Sequence, residues 1–187
     1  ITGEERIIHP EGTHVCSTIE MLDIKEKYDL AIIDEIQFLG DMDRGSAWSK
    51  AFLGLAAREI IVVGSTDSEG LIRHITNLCK DTLDIKKFTR LSELEILQSP
   101  ITVNDLQKGD AIIAFSRRDV HSITEELTVK HNKKVSLIYG ALPPEVRIEE
   151  SRRFNDGETD ILVSTDAIGY GLNLNIKRVL YTTVSKF

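Results

Sequence analysis

The sequence is first defined by what it lacks. No apolar stretch approaches the ~20 residues that cross a bilayer as a helix, so no membrane partner is expected. The opening residues Ile1-Thr2-Gly3-Glu4-Glu5-Arg6 have neither a basic nor an apolar leader character, and they do not begin with Met, which leaves a cleaved or partial chain open. Only two cysteines occur, Cys16 and Cys79, far apart and without Cys or His at ligand spacing. They read as reduced structural thiols, and zinc is not expected. The five histidines are scattered, with no HExxH pair and no triad spacing. No stretch matches G-x-x-x-x-G-K. Gly40-Asp41-Met42-Asp43-Arg44-Gly45-Ser46 has the glycine spacing of a phosphate loop but lacks its Lys and puts acids where phosphate would sit.

A basic face is missing too. The net charge is −7; residues 1–95 hold 11 Lys/Arg against 18 Asp/Glu and residues 96–187 hold 12 against 12, making up the totals of 23 and 30. Indiscriminate nucleic-acid binding by bulk charge is therefore disfavoured. Any nucleic-acid contact must use backbone amides, hydroxyls and a few cations.

What is present is strand and helix in alternation. Apolar runs are expected as strands at 30–33, 59–64, 111–115, 135–139, 160–164 and 178–182, with weaker candidates at 7–15 and 83–88. Helices are expected after most of them, including one carrying Trp48, Ala51, Phe52, Leu55 and Ala56 on one face. Ser17-Thr18-Ile19-Glu20 fits a capping box opening a short helix to about Ile24. Residues 89–106 lose the periodicity and contain Pro100, as a connector would. The fold class is α/β, with two parallel-sheet lobes: residues 1–88, a connector at 89–106, and residues 107–187.

Leu30-Ala31-Ile32-Ile33-Asp34-Glu35-Ile36-Gln37 is the stretch around which the chain is organised. A buried parallel strand would deliver two acids to the carboxyl edge of a sheet, where ligands bind in open α/β folds. Mg²⁺ prefers oxygen ligands and uses one or two carboxylates together with waters and phosphates. Asp34 is placed to hold Mg²⁺-nucleotide and Glu35 to activate water. A strand running into a polar turn would look the same.

Four further stretches could carry chemistry. In 161–173 a strand reaches Ser164-Thr165-Asp166 and two glycines, Gly169 and Gly171, which allow close approach to phosphate or ribose. Ser116-Arg117-Arg118 would open a helix as an anion site, or Ser116 would simply cap it. Gly64-Ser65-Thr66-Asp67 is explained equally well by capping. Thr2-Gly3-Glu4 and Ser17-Thr18 could touch a nucleic-acid backbone or make turns.

In order, these stretches resemble a superfamily 2 DExH-type RNA helicase, in the subfamily of the mitochondrial degradosome helicase subunit and its bacterial relatives. Asp34-Glu35-Ile36-Gln37 resembles motif II in that subfamily's form, with Gln in place of His. Ile1–Arg6 resembles the segment before motif Ib, Ser17–Met21 motif Ib, and Arg44-Gly45-Ser46-Ala47-Trp48 the helix start after motif II. Gly64-Ser65-Thr66 stands at motif III, departing from its Ser-Ala-Thr form. Phe115-Ser116-Arg117 resembles motif IV, Tyr139–Pro144 the next family segment, and Thr165–Asn173 motif V.

The resemblance implies two RecA-like lobes, the first truncated at its N-terminus and the second at its C-terminus. It implies ATP and Mg²⁺ as cofactors, with Asp34 and Glu35 binding metal and activating water and Gln37 sensing nucleotide across the cleft. Gly171 and Asn173 would face the nucleotide. Gly3, Thr18, Ser116, Arg117 and Thr165 would hold RNA, and Ser65 and Thr66 would couple the two activities. It further implies RNA, single-stranded or partly duplex, and an exoribonuclease as partners, and a mitochondrial matrix or bacterial cytoplasmic setting. The phosphate-loop Lys and the arginine finger lie outside these residues. The finger alone is worth ~10³–10⁵ in rate, so the 187-residue chain by itself is expected neither to hydrolyse ATP nor to unwind RNA. A non-catalytic RNA-binding module and a DNA-directed helicase of the same superfamily remain open.

Overall fold

The computed structural model describes residues 1–3, 6–91, 93–169 and 171–185. The chain divides into two compact units, residues 1–91 and 92–187. The expectations that touch Glu4, Glu5 and Tyr170 lie outside the described residues.

In the first unit, β1 (Lys27–Ile33) and β2 (Ala56–Val62) pair in parallel, with Ile33 opposite Val62. Between them α1 (Gly45–Gly54) crosses over, and α2 (Glu69–Cys79) follows β2. The helices cover one face of the sheet. Ile33, Ile36, Leu39, Trp48, Ala51 and Ile72 make the core, with Ile60 and Val62 packed against it. The opposite face is bare. Leu30, Ile32, Ile61 and Val63 are 47%, 65%, 41% and 49% exposed. The run 30–33 is therefore not buried on both sides as expected. Its alternate residues point away from α1 and α2, since side chains alternate along a strand.

The second unit is a four-stranded, all-parallel sheet in the order β4-β5-β3-β6. Its elements are β3 (Asp110–Ile113), α3 (Arg117–Glu125), β4 (Val135–Ile138), α4 (Pro144–Asn155), β5 (Ile161–Ser164) and β6 (Arg178–Tyr181). A wider π turn, Glu126–Lys130, extends α3. β3 and β5 are buried along their whole length. One apolar cluster, including Ile112, Val120, Leu127 and Val163, fills one side. The other side holds Ala111, Ile138, Phe154 and Leu162. Such continuous apolar runs are what a sheet covered on both faces requires. The division at 91/92 falls inside the 89–106 stretch. Leu106 is buried in the second core, and Ile101 and Val103 pack on it.

Three local expectations are corrected. Residues 7–15 form no strand, and Ile7, Ile8 and Val15 are exposed. Residues 83–88 are irregular; Leu83 packs on the first core and Lys87 pairs with Glu69, but no strand edge receives their backbone. The box at 17–20 gives only one 3-10 turn, Ile19–Met21, without a side-chain cap bond. Glu20 is engaged by Arg44 instead. Among the described residues no helix is long and apolar enough to cross a membrane.

Candidate nucleotide and RNA site

The acidic pair sits where the strand pattern puts it, one residue past β1. Val63 N–H donates to Ile33 O and Ile36 N–H to Val63 O, both at 2.9 Å, so the ends of β1 and β2 stay zipped as the chain turns. The turn is made at Glu35, whose φ of 54° is left-handed. A non-glycine residue there is uncommon and costs about 1–2 kcal/mol, and the surroundings hold it. Glu35 N–H donates to Asp34 Oδ1 at 2.9 Å. Trp48, from α1, donates its indole N–H to Asp34 O at 3.0 Å. Gln37 Nε2 donates to Glu35 Oε2, while Gln37 Oε1 accepts from Ser65 N–H at 3.2 Å. Gln37 thus joins the acid-bearing turn to the segment after β2. Its partners lie within this unit.

Gly64 makes that junction possible. A Cβ there would lie 2.5 Å from Gln37 Oε1, 2.8 Å from Ile36 Cγ2 and 3.1 Å from Ile36 N. Ser65 precedes the turn Thr66–Ser68 without a side-chain cap bond, and its carbonyl accepts from Ser68 Oγ at 2.7 Å. The capping expected of this stretch is therefore absent at Ser65, whose carbonyl accepts a bond instead.

Asp34 is exposed and Glu35 half-buried. Among the described residues no group of three or more His, Cys, Asp or Glu converges as a metal cage. Two carboxyl groups at a sheet edge do suit Mg²⁺, which keeps waters and shares its remaining positions with phosphate oxygens.

Thr18 stands before the turn at 19–21, and its N–H donates to Ile1 O at 2.9 Å, which draws the chain leading to Gly3 alongside. Gly3 is exposed, with open space around its Cα.

At the carboxyl edge of the second sheet Ser116 is a full N-cap. Its Oγ accepts from Asp119 N–H at 3.0 Å and donates to Asp119 Oδ2 at 2.7 Å. Arg117 and Arg118 are exposed on the first turn of α3. Thr165 follows β5; its N–H donates to Ile138 O at 3.1 Å and its Oγ1 accepts from Ala167 N–H at 3.3 Å. Ser164 Oγ donates to Ile138 O at 2.7 Å. The ends of β3, β4 and β5 thus bring Ser116, Arg117 and Thr165 to one edge. Gly171 has φ +72° and nothing within 4 Å of a built Cβ. Asn173 is exposed, its carbonyl accepting from Asn155 Nδ2 at 2.8 Å, and Asn155 Oδ1 accepts from Asn175 N–H at 2.8 Å. Asn155, at the end of α4, pins this loop, a role no local pattern announces.

Two family profiles cover the chain. One described as the DEXQ-box helicase domain of Suv3 matches residues 1–88, and one described as the helicase conserved C-terminal domain matches residues 86–186. The chain belongs to the helicases that carry this conserved C-terminal domain, and its first 88 residues are similar to the Suv3 DEXQ-box domain. It is 43% identical over 192 residues to the Candida albicans protein named ATP-dependent RNA helicase SUV3, mitochondrial, covering all of this chain and 27% of that one. To the mouse protein named ATP-dependent RNA helicase SUPV3L1, mitochondrial, it is 37% identical over 193 residues, covering all of this chain and 25% of that one. The chain therefore spans about a quarter of the length of these curated relatives. Among solved structures, S. cerevisiae Dbp5 bound to RNA and ADP BeF3 superposes with a TM-score of 0.58 at 14% identity, over 85% of this chain and 45% of that one. That likeness is one of fold, and both units share the RecA-like parallel-sheet architecture of the helicases.

Proposed function

We propose that the protein carrying these residues is a mitochondrial ATP-dependent RNA helicase that acts in RNA turnover. The observation that carries this reading is the Asp34-Glu35-Ile36-Gln37 turn at the end of β1, with Gln37 joining Glu35 to the Ser65 segment. Asp34 and Glu35 would hold Mg²⁺ through water, and the bound ion would neutralise the phosphate charge that develops in transfer. Glu35 takes a proton from the attacking water, and Gln37 fixes the orientation of its carboxylate. Ser65 and Thr66 follow any movement of Gln37 and so transmit nucleotide state. Gly171 and Asn173 are the nucleotide-binding residues of the second unit.

Gly3, Thr18, Ser116, Arg117 and Thr165 hold the sugar-phosphate backbone, mostly through hydroxyls and backbone groups. That suits a chain whose bulk charge is negative, and contacts of this kind position a strand without reading its sequence. The proposed division is a first lobe at 1–88, a connector at 89–106 and a second lobe at 107–187. An exoribonuclease partner accords with the same role.

The test is ATP turnover by the full-length protein with single-stranded RNA, single-stranded DNA or neither, at one fixed salt concentration because such binding depends steeply on salt, together with strand displacement on a partly duplex RNA. RNA-stimulated turnover with unwinding is expected. Stimulation by DNA in preference to RNA would assign the polynucleotide differently, and no turnover would end the catalytic reading.

A further inference from the structure

Arg44 and Trp48 lie between the two halves of the first unit's proposed chemistry. Trp48 is a core residue, 5% exposed, yet its only polar atom reaches the Asp34 carbonyl, on the peptide joining the two acids. A buried indole N–H normally finds a partner, but the partner here is the turn that presents the carboxylates. Arg44 lies over the ring. Its guanidinium carbon is 5.0 Å from the Trp48 ring and 5.3 Å from that of Phe38, and the two rings are 5.0 Å apart. The same guanidinium donates from Nη2 to Glu20 Oε1 at 3.0 Å. Glu20 belongs to the turn that Thr18 begins.

The placement of Arg44 is itself built. Asp41 Oδ1 accepts from the Arg44 N–H at 2.8 Å and from the Asp43 N–H at 3.0 Å. Gly45 lets the loop close against Leu39, where a Cβ would lie 2.8 Å from Leu39 O. A cation stacked on aromatic faces and paired to one carboxylate holds a fixed orientation better than either contact alone gives. The groups form one contiguous series: Thr18 turn, Glu20, Arg44, Trp48, Asp34.

We infer that Glu20, Arg44 and Trp48 form a positioning bridge that ties the Thr18 turn to the Asp34–Glu35 peptide, so that a backbone held at Thr18 biases the metal-side carboxylates toward their working position. None of the three touches substrate. They are positioning residues, and the inference rests on the helicase reading above. A strand that binds at Thr18 can move the turn at 19–21 only by carrying Glu20 with it. Glu20 then loads or releases Arg44, and Arg44 the indole that holds the Asp34 carbonyl.

The experiment measures ATP turnover by the full-length protein against Mg²⁺ and against single-stranded RNA, for the unsubstituted protein and for Trp48→Phe, Arg44→Gln, Arg44→Lys and Glu20→Gln, with a thermal melt of each. Trp48→Phe keeps an aromatic ring and removes the N–H. It is expected to raise the Mg²⁺ concentration for half-maximal turnover about threefold or more, with or without RNA. Glu20→Gln is expected to leave basal turnover and Mg²⁺ dependence within about twofold while the factor of stimulation by RNA falls about fivefold, the low end of ordinary coupling between sites. Arg44→Gln should show both effects and Arg44→Lys recover part of the stimulation. A merely structural role would lower basal and stimulated turnover alike and leave the Mg²⁺ midpoint unmoved. That outcome, or an unchanged stimulation factor in Glu20→Gln, overturns the bridge while the helicase reading stands. If the unsubstituted protein shows no RNA-stimulated turnover, the helicase reading falls and the bridge with it.

Discussion

Gly64→Ala is the most informative single atom to add to this molecule. The new Cβ would sit 2.5 Å from Gln37 Oε1 and 2.8 Å from Ile36 Cγ2, against ordinary contacts that begin at 3.4 Å. Relief in one direction is blocked. Ile36 N, at 3.1 Å, is fixed by its own bond to Val63 O at 2.9 Å. Relief in the other direction swings the Gln37 amide away, which sacrifices its bond from Ser65 N–H and disturbs the one it makes to Glu35. Losing a neutral hydrogen bond costs about 0.5–1.5 kcal/mol, and overpacking of this kind about 1–3 kcal/mol. A combined cost of about 2 kcal/mol, felt where Glu35 must be oriented, is about thirtyfold in rate. The assay is RNA-stimulated ATP turnover by the full-length protein, beside a thermal melt. Gly70→Ala is the control. Gly70 lies in the first turn of α2 with open space around it, and alanine there should stabilise by roughly 0.5–1 kcal/mol and leave turnover alone. Gly64→Ala with turnover within twofold of the parent would refute the claim that Gln37 is held at this junction.

Three other outcomes follow from the same geometry. Asp110 is 1% exposed and receives Arg178 Nε at 2.7 Å and Nη2 at 2.6 Å, so Arg178→Met leaves a buried carboxylate without its cation and should cost about 3–5 kcal/mol, read as a fall in the second unit's melting temperature; a loss under 1 kcal/mol would contradict it. Backbone hydrogen bonding and then the Arg44 guanidinium hold the Glu20 carboxyl below its ordinary 4.5, so the pair is fully present above that pH and is lost as pH falls through the lower folded value. An NMR titration should place the Glu20 midpoint below 4.5 and Arg44→Gln should move it upward; a midpoint at or above 4.5 would contradict the pairing. Hydrogen exchange on the 187-residue chain should show weaker protection in β1 and β2, whose outer face leaves Leu30, Ile32 and Ile61 in solvent, than in β3 and β5. Equal protection would count against that.

The parts of this architecture that were legible beforehand are those in which local chemistry and the global fold agree. An apolar run ending in two acids does become a parallel strand presenting them at a carboxyl edge, and the runs at 111–115, 135–139, 160–164 and 178–182 do become the second sheet. Residues 7–15 and 83–88 have strand composition but no neighbour to pair with, and pairing is not written in composition. The capping signals misled for a related reason. Glu20 has the spacing of a capping box, yet its carboxylate reaches an arginine 24 residues away and no side-chain cap bond forms at Thr18. Trp48 carried a correct message about the core and hid a second one, because periodicity reports which face a residue lies on and is silent about its one polar atom. Gly64 and Asn155 were equally mute: each acts on a segment distant in sequence, Gly64 by having no side chain where Gln37 arrives and Asn155 by holding the loop at 173–175.

The central claim is that the carboxylates at the end of β1 work on a metal-bound nucleotide, with Glu35 moving the proton of water. Glu35→Gln tests it most directly, since the amide keeps the side chain's shape and can still meet Gln37 but accepts no proton. In the full-length protein this substitution should leave ATP and RNA binding within a few-fold of the parent while ATP hydrolysis drops at least about a hundredfold, within the range ascribed to a positioned general base. Hydrolysis that continues at the parent rate would contradict the account.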